Sequence, residues 1–394
     1  MKSLLLFVAL ALGVPAHAQT LREAVDAAWA RQPAARAQSA READLAARRD
    51  AAGALTPQPP SLGLGARSDA PFQNEGQREY EAELAFPLWL PGQSARQTAV
   101  VDAERSQLDG ILTVAKWKVA GEVRETYWDV RIAEVELALA RRKVEESAAI
   151  AADVARRVKA GDLARVDLNQ AQGAEQSARA AAVEAELKAF RARQGLQTLT
   201  GMSVLPAAEE TTGLAPPLDD HPQLSSRQRA AGAARAKLAQ AAEDRRDSPE
   251  LALGMRRERG AFDQPYDNSL LLKFKVPFAT DARNRPRIAA ANAELIEVQA
   301  DYELERTRVA AEIEVARRGL AQSETVRSFA AARFELAAET QRLIARAFTL
   351  GEIDLVSRLR AENERFDAEL GLTRTEVERA RAVSRLNQAM GVMP

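Results

Sequence analysis

Glu79, Glu81 and Glu83 stand at alternate positions, as do Lys273 and Lys275, and their type and spacing ask for a chemical account. Tyr80, Ala82, Leu84, Phe86 and Leu88 fill the positions between and beyond the three acids. A period of two is that of a β-strand, whose successive side chains point to opposite faces. The three carboxylates therefore share one wet face and the apolar residues share the other. This is a display of fixed charge rather than an acid–base pair. No nucleophile motif, phosphate loop or histidine cluster accompanies it, so the sequence shows no catalytic residues. A dedicated zinc or copper site normally takes several His or Cys ligands, and the chain holds no cysteine and only His17 and His221. No metal site and no cofactor are expected.

The same pattern occurs again in 269–278, where Leu270, Leu272, Phe274, Val276 and Phe278 alternate with Ser269, Leu271, Lys273 and Lys275. Each segment has a partner upstream, 60–67 with Leu62, Leu64 and Ala66 on one face, and 250–257 with Leu251, Leu253 and Met255 on one face. Strands of this length approach the ~9–11 residues that a tilted membrane strand requires. Apolar-out and charged-in alternation is the barrel pattern. The connections 68–77 and 258–268 are rich in Pro, Asn, Gly, Asp and Gln and read as exposed hairpin loops. Phe86, Trp89, Phe274 and Phe278 are candidates for an aromatic belt at the membrane interface. A barrel of even eight strands has an interior only just filled by side chains, and lipid tolerates no open strand edge. Four strands per chain therefore imply that protomers pool their strands, three protomers supplying about twelve.

The two cassettes belong to a duplication. Phe86-Pro87 is matched by Val276-Pro277, Gly161-Asp162-Leu163 by Gly351-Glu352-Ile353, and Gly201-Met202 by Gly391-Val392, each at an offset of 190. After each cassette comes a stretch of more than a hundred residues without internal proline, Pro91 to Pro206 and Pro286 to Pro394, rich in Ala, Glu, Arg, Gln and Leu. Such stretches favour helix strongly. Helices are expected over 94–159, 162–201, 282–349 and 352–391, the first a rod of roughly 100 Å at 1.5 Å per residue. Gly161 and Gly351 are where the rods turn. Val123, Val130, Leu137, Val144, Ala151 and Val158 are spaced by seven, with Thr126, Ala133, Ala140, Ser147 and Val154 three places after the first five. That period predicts supercoiled packing, with small residues allowing close approach. Leu295, Tyr302, Val309 and Ala316 repeat the spacing.

Residues 1–18 read as a signal peptide: Lys2, an apolar run Leu4 to Val14, and a small-x-small site at Ala16-His17-Ala18. The expected layout is then a first repeat 19–202 with strand hairpin 60–88, a linker 203–221, and a second repeat 222–394 with strand hairpin 249–278. The 55 basic residues nearly balance the 56 acidic ones, which argues against a nucleic-acid partner.

The mature chain resembles the TolC-like outer-membrane efflux proteins over essentially its whole length. Thr20 to Val25 followed by Gln32-Pro33 is similar to the family's helix start, and Arg157 to Asp167 with Ala171-Gln172 and Ala347 to Ile353 look like its two hairpin turns. The resemblance implies a mostly α fold with a small membrane β portion, in which a homotrimer joins a twelve-strand barrel to a periplasmic α-barrel. It also implies outer-membrane lipid around the barrel, a periplasmic adaptor docked on the tips Gly161, Asp162, Leu163, Gly351, Glu352 and Ile353, an inner-membrane pump, and a location in the outer membrane of a Gram-negative bacterium. The second tip, Leu350 to Leu355, looks most like the heavy-metal cation branch. Glu79, Glu81, Glu83, Lys273 and Lys275 would line the barrel lumen. Asp167, which matches the family's first-tip aspartate, and Ser357, Arg358 and Arg360 are the candidates for a pore constriction. Ser357 and Arg360 stand where the family often places aspartates, so closure by Asp167–Arg pairs between helices is expected in place of an acidic girdle. The alternative reading is a periplasmic coiled-coil adaptor or scaffold that never enters a membrane.

Overall fold

The computed structural model describes residues 20–207 and 210–394; the expected signal peptide lies outside the described residues. The elements run α1 Leu21–Arg31, α2 Pro33–Ala52, β1 Ser61–Ser68, β2 Arg78–Pro87, α3 Gln93–Ala160, α4 Arg165–Thr200, α5 Pro222–Glu243, β3 Glu250–Arg259, β4 Asp267–Lys275, α6 Asp281–Thr349 and α7 Leu355–Ala389. Two compact units divide them. Among the described residues one holds those from 20 to 32 with those between 116 and 215 and 313–394, and the other holds 33–115 and 216–312. None of the helices among the described residues is long and apolar enough to cross a membrane.

In the first unit, α1 begins with a reciprocal cap: Glu23 N–H donates to Thr20 Oγ1 at 3.2 Å and Thr20 N–H to Glu23 Oε2 at 2.9 Å. It ends at Gln32, extended because Pro33 follows. Leu21, Ala24, Val25 and Ala28, one helical stripe, are buried against Val119, Ala120, Val123, Tyr127 and Trp128 of α3. Farther along α3 the packing thins to small side chains, with Ala133 and Leu137 against Ala185, Ala189 and Ala192 of α4. The seven-residue seam of α3 is buried at Val123, Val130, Leu137 and Ala151, and half-buried at Val144 and Val158.

The second repeat behaves differently. Of Leu295, Tyr302, Val309 and Ala316 only Val309 is buried, and Phe329, Leu336, Leu343 and Leu350 of the same segment lie exposed at seven-residue spacing. The sequence pattern is equivalent in the two halves. The cover is not: α4 and α7 shield α3, whereas among the described residues Phe329, Leu336 and Leu343 of α6 stay uncovered.

A buried charge fixes the segment after α4. Arg124, 1% exposed, donates from Nη2 to Glu210 Oε1 at 2.7 Å, from Nη1 to Gln388 Oε1 at 2.6 Å and from Nη2 to the Val392 carbonyl at 3.0 Å. Ser384 Oγ donates to the same Glu210 and accepts from Trp128 Nε1 at 2.8 Å. One guanidinium thus ties α3, α7, the linker and the C-terminal turn. Truncating one partner of such a buried pair leaves the other uncompensated, at a cost of about 3–5 kcal/mol. Arg124→Ala is therefore expected to lower the denaturation midpoint strongly, and Arg124→Lys to recover only part of it. Denaturant melts of the two variants beside the wild type check this.

In the second unit the four strands form one antiparallel sheet in the order β1-β2-β3-β4. The two cassettes meet through β2 and β3, with Leu84 opposite Leu253 and Phe86 opposite Leu251. The outer edges of β1 and β4 have no strand partner among the described residues.

Candidate functional site

Two places concentrate function, the sheet in one unit and the interhelical turns in the other. On the sheet, register settles which side chains share a face. Leu62, Leu84, Leu253 and Leu272 form one row, and Leu64, Ala82, Met255 and Leu270 form the next. All four leucines of the first row are exposed, Leu272 at 69%, and in the second Leu64 reaches 77% and Leu270 78%. An open apolar face of this extent does not belong in water.

The opposite face is charged. Lys273 Nζ reaches Glu81 Oε1 at 2.6 Å and also Glu83. Arg256 Nε stands 2.9 Å from Glu79 Oε1, and its Nη2 lies 3.7 Å from Glu81. Lys275 is 4.0 Å from Glu250. Lys273 on β4 meets acids on β2 by crossing β3, where Ala252 and Gly254 occupy the intervening positions. Both are buried beneath the crossing side chain. Arg256 is the member that sequence reading missed, although its alternation with Leu253 and Met255 already put it on this face.

The turns are built by helix stop signals. After α3, Gly161 N–H donates to the Val158 carbonyl at 3.2 Å and Asp162 N–H to Arg157 at 2.9 Å. After α6, Gly351 N–H donates to Phe348 at 3.2 Å and Glu352 N–H to Ala347 at 3.0 Å. This paired closure needs a left-handed residue, and φ is +89° at Gly161 and +78° at Gly351. Leu163 folds back on the core of Ile150, Ala151, Val154, Leu168, Ala171, Phe348 and Leu355. Asp162, Gly161, Gly351 and Glu352 are exposed and Ile353 is half-exposed.

The constriction candidates are largely committed inside their own chain. Asp167 caps α4, accepting from Ala164 N–H at 3.0 Å. Arg358 stacks 4.9 Å from the Phe348 ring centre, with Arg157 at 5.1 Å from the same ring, and lies 3.9 Å from Asp153. Among the described residues no ion pair joins Asp167 to Arg358 or Arg360, so the expected Asp167–Arg closure is not formed within one chain. Ser357 N–H donates to Asp354 Oδ1 at 2.9 Å, and hydrogen bonding from Ser357, through its side chain first and then its backbone, holds the Asp354 carboxyl below the usual carboxylate range. Arg360 is exposed. Phe348 and Asp153 were not singled out in the sequence, for nothing in local spacing pairs residues on α3 with a ring on α6.

Above the turns, Arg365 of α7 gathers three carboxylates: Glu362 at 3.0 Å, Glu369 at 3.2 Å and Glu146 of α3. Partial burial, and then a hydrogen bond with Glu362, push the Glu146 carboxyl above its ordinary value despite Arg365. A carboxyl raised on folding holds its proton better folded than unfolded. Its stabilising contribution is full below the unfolded pKa and is lost as pH rises through the folded one. Stability is thus expected to fall as pH climbs through that window, and Glu146→Gln to flatten the slope. Urea midpoints across the carboxylate range in both proteins test this.

The architecture of paired long helical hairpins with a four-strand sheet is the fold of the TolC-like outer-membrane channels. The solved structure of CusC, which forms a transmembrane channel, matches with a TM-score of 0.77 at 17% identity, over 95% of this chain and 92% of that one. The outer-membrane channel OprN matches at 0.74 and 21% identity, covering 94% and 89%. The Campylobacter jejuni outer-membrane channel CmeC matches at 0.72 and 16%, covering 94% and 85%. At these identities the likeness is one of fold. No protein-family model matches the chain, and no curated protein sequence matches it.

Proposed function

We propose that the chain is the outer-membrane channel of a tripartite efflux or export system, passively conducting substrate from the periplasm to the exterior, without catalysis. The observation that carries this reading is the sheet: an exposed apolar face backed by a charged face, with two open edges. In lipid the edges must be paired, and symmetric pooling of strands between copies pairs them. A homotrimer closes a barrel of about twelve strands, with Glu79, Glu81, Glu83, Lys273 and Lys275 in the lumen. The exposed apolar stripe of α6 favours self-association as well. A periplasmic adaptor gives no reason for the apolar sheet face. The location in this reading is the outer membrane of a Gram-negative bacterium, with the helices in the periplasm.

The tips Gly161, Asp162, Leu163, Gly351, Glu352 and Ile353 are the surface for an adaptor coupled to an inner-membrane pump. Asp167, Ser357, Arg358 and Arg360 lie at the proposed constriction, where exposed Arg360 is the arginine that can reach a neighbouring protomer. The wording of the second tip supports heavy-metal cations as cargo, which a metal-sensitivity profile of a deletion strain tests.

Because the chain lacks cysteine, single cysteines report orientation cleanly. Cysteines at 79 and 83 are expected to label with a membrane-impermeant thiol reagent in intact outer membranes, and those at 80 and 84 are not. The reverse pattern would sink the barrel reading. A Cβ added at Gly351 meets no atom within 4 Å, so any penalty there comes from backbone alone. Left-handed backbone costs a β-branched residue at least the ~1–2 kcal/mol it costs other L-residues. Gly351→Val is expected to abolish resistance while trimer and insertion persist; full resistance at normal expression would remove the tips from the docking surface.

A further inference from the structure

The apolar face of the sheet ends in arginine. Following the lipid-side rows toward the hairpin loops, Leu64, Ala82, Met255 and Leu270 give way to Ala66, Tyr80, Arg257 and Asn268, and then to Ser68, Arg78 and Arg259. Alternation puts Arg78, Arg257 and Arg259 on the same side as the leucines, opposite the face of Glu79 and Glu81. Tyr266, two places before Asn268, shares that side and stacks with both β3 arginines. The Arg257 guanidinium lies 4.6 Å and that of Arg259 5.0 Å from its ring centre, and Arg259 is also 5.3 Å from the Phe262 ring.

Acids do not neutralise this cluster. Arg78 is held by Asp69 at 3.0 Å, but Arg257 and Arg259 have no carboxylate in ion-pairing range among the described residues. Arg259 uses only Nε, donating to the Gly76 carbonyl at 3.0 Å, which leaves both Nη groups to offer. Two stacked, immobilised guanidinium forks with unspent donors fit phosphate, which arginine binds in bidentate fashion. Their place decides which phosphate. Apolar rows continue directly beneath them, so a ligand lying here has acyl chains along Leu64, Met255 and Leu270 and its phosphate at the arginines.

We propose that Arg257 and Arg259, set by Tyr266, form a docking site for the phosphorylated headgroup of an outer-leaflet glycolipid. The site rests on the outer-membrane reading and deepens it. It fixes the hairpin loops at the outer surface and gives the barrel a preferred depth. Ion pairing at a headgroup is partly dehydrated, so these contacts withstand salt better than exposed pairs.

The test uses the full chain, assembled and purified in detergent, then titrated with bis-phosphorylated lipid A and with the same lipid stripped of phosphate, bound lipid being counted by native mass spectrometry. Wild type is expected to prefer the phosphorylated form. Arg257→Gln/Arg259→Gln should weaken that binding about tenfold or more, and Arg257→Gln alone by a smaller factor, while binding of the stripped lipid is unchanged. The Arg257 side chain makes no hydrogen bond among the described residues, so the single variant keeps the test valid if loss of the Arg259–Gly76 bond loosens the loop. Arg67→Gln, which removes the same charge from the opposite face at the same end of the sheet, should bind as wild type does. Equal binding by the double variant and wild type, or equal loss in Arg67→Gln, overturns the site. Failure of wild type to insert into bilayers in a parallel reconstitution overturns the membrane reading and the site with it, and is visible before any lipid is compared.

Discussion

Every strand among the described residues lies in one sheet, and that sheet is left with two open edges. Its β1 and β4 edges offer unpaired backbone donors and acceptors, and one face is lined by leucine, methionine and phenylalanine. Water tolerates the edges but not the face; lipid accepts the face but not the edges. The function proposed above, in which copies pair their strands inside a bilayer, answers both. The helices follow from that constraint. In that proposal a pooled sheet needs subunits held in fixed register, and the seven-residue stripe that α6 leaves uncovered would serve as the surface by which long helices hold one another.

Where the sheet leaves its edges open, the helical turns close themselves. Two Schellman motifs, one after α3 and one after α6, satisfy the last carbonyls without help from outside. Asp167 and Asp354 then start the next helices, the first by binding Ala164 N–H and the second by binding Ser357 N–H. An aspartate used as a helix cap is a poor candidate for a second partner. The family resemblance gives Asp167 a role in the pore; the local physics gives it a role in α4, and the second is visible in a single chain.

Elements governed by local rules were legible in the sequence. The alternation of Glu79, Glu81 and Glu83 with Tyr80 and Leu84 specified both faces of β2, because a period of two leaves no choice. Glycine at 161 and 351 specified the turns, because few other residues accept a positive φ. What escaped was set by distant segments. Phe348 between Arg157 and Arg358 requires α3, α6 and α7 together, and Arg124 needs Glu210, Ser384 and Gln388 to become a buried anchor. The unequal cover of the two seams escaped for the same reason: Val123 and Leu295 look alike in sequence, and only their neighbours differ.

The two strand hairpins divide the electrostatic work of one face. β2 supplies acids and β4 supplies lysines, yet these strands are not neighbours. Lys273 and Glu81 meet only because β3 presents Ala252 and Gly254 between them, low enough for a lysine stem to lie across. A large residue at either position would lift Lys273 off the sheet and break its bridge to Glu81 and Glu83. On the other face β3 does the reverse, presenting Leu251, Leu253 and Met255 outward and then Arg257 and Arg259. One strand thus sets the charge pairing on one face and, by the same alternation, the change from apolar rows to arginine on the other.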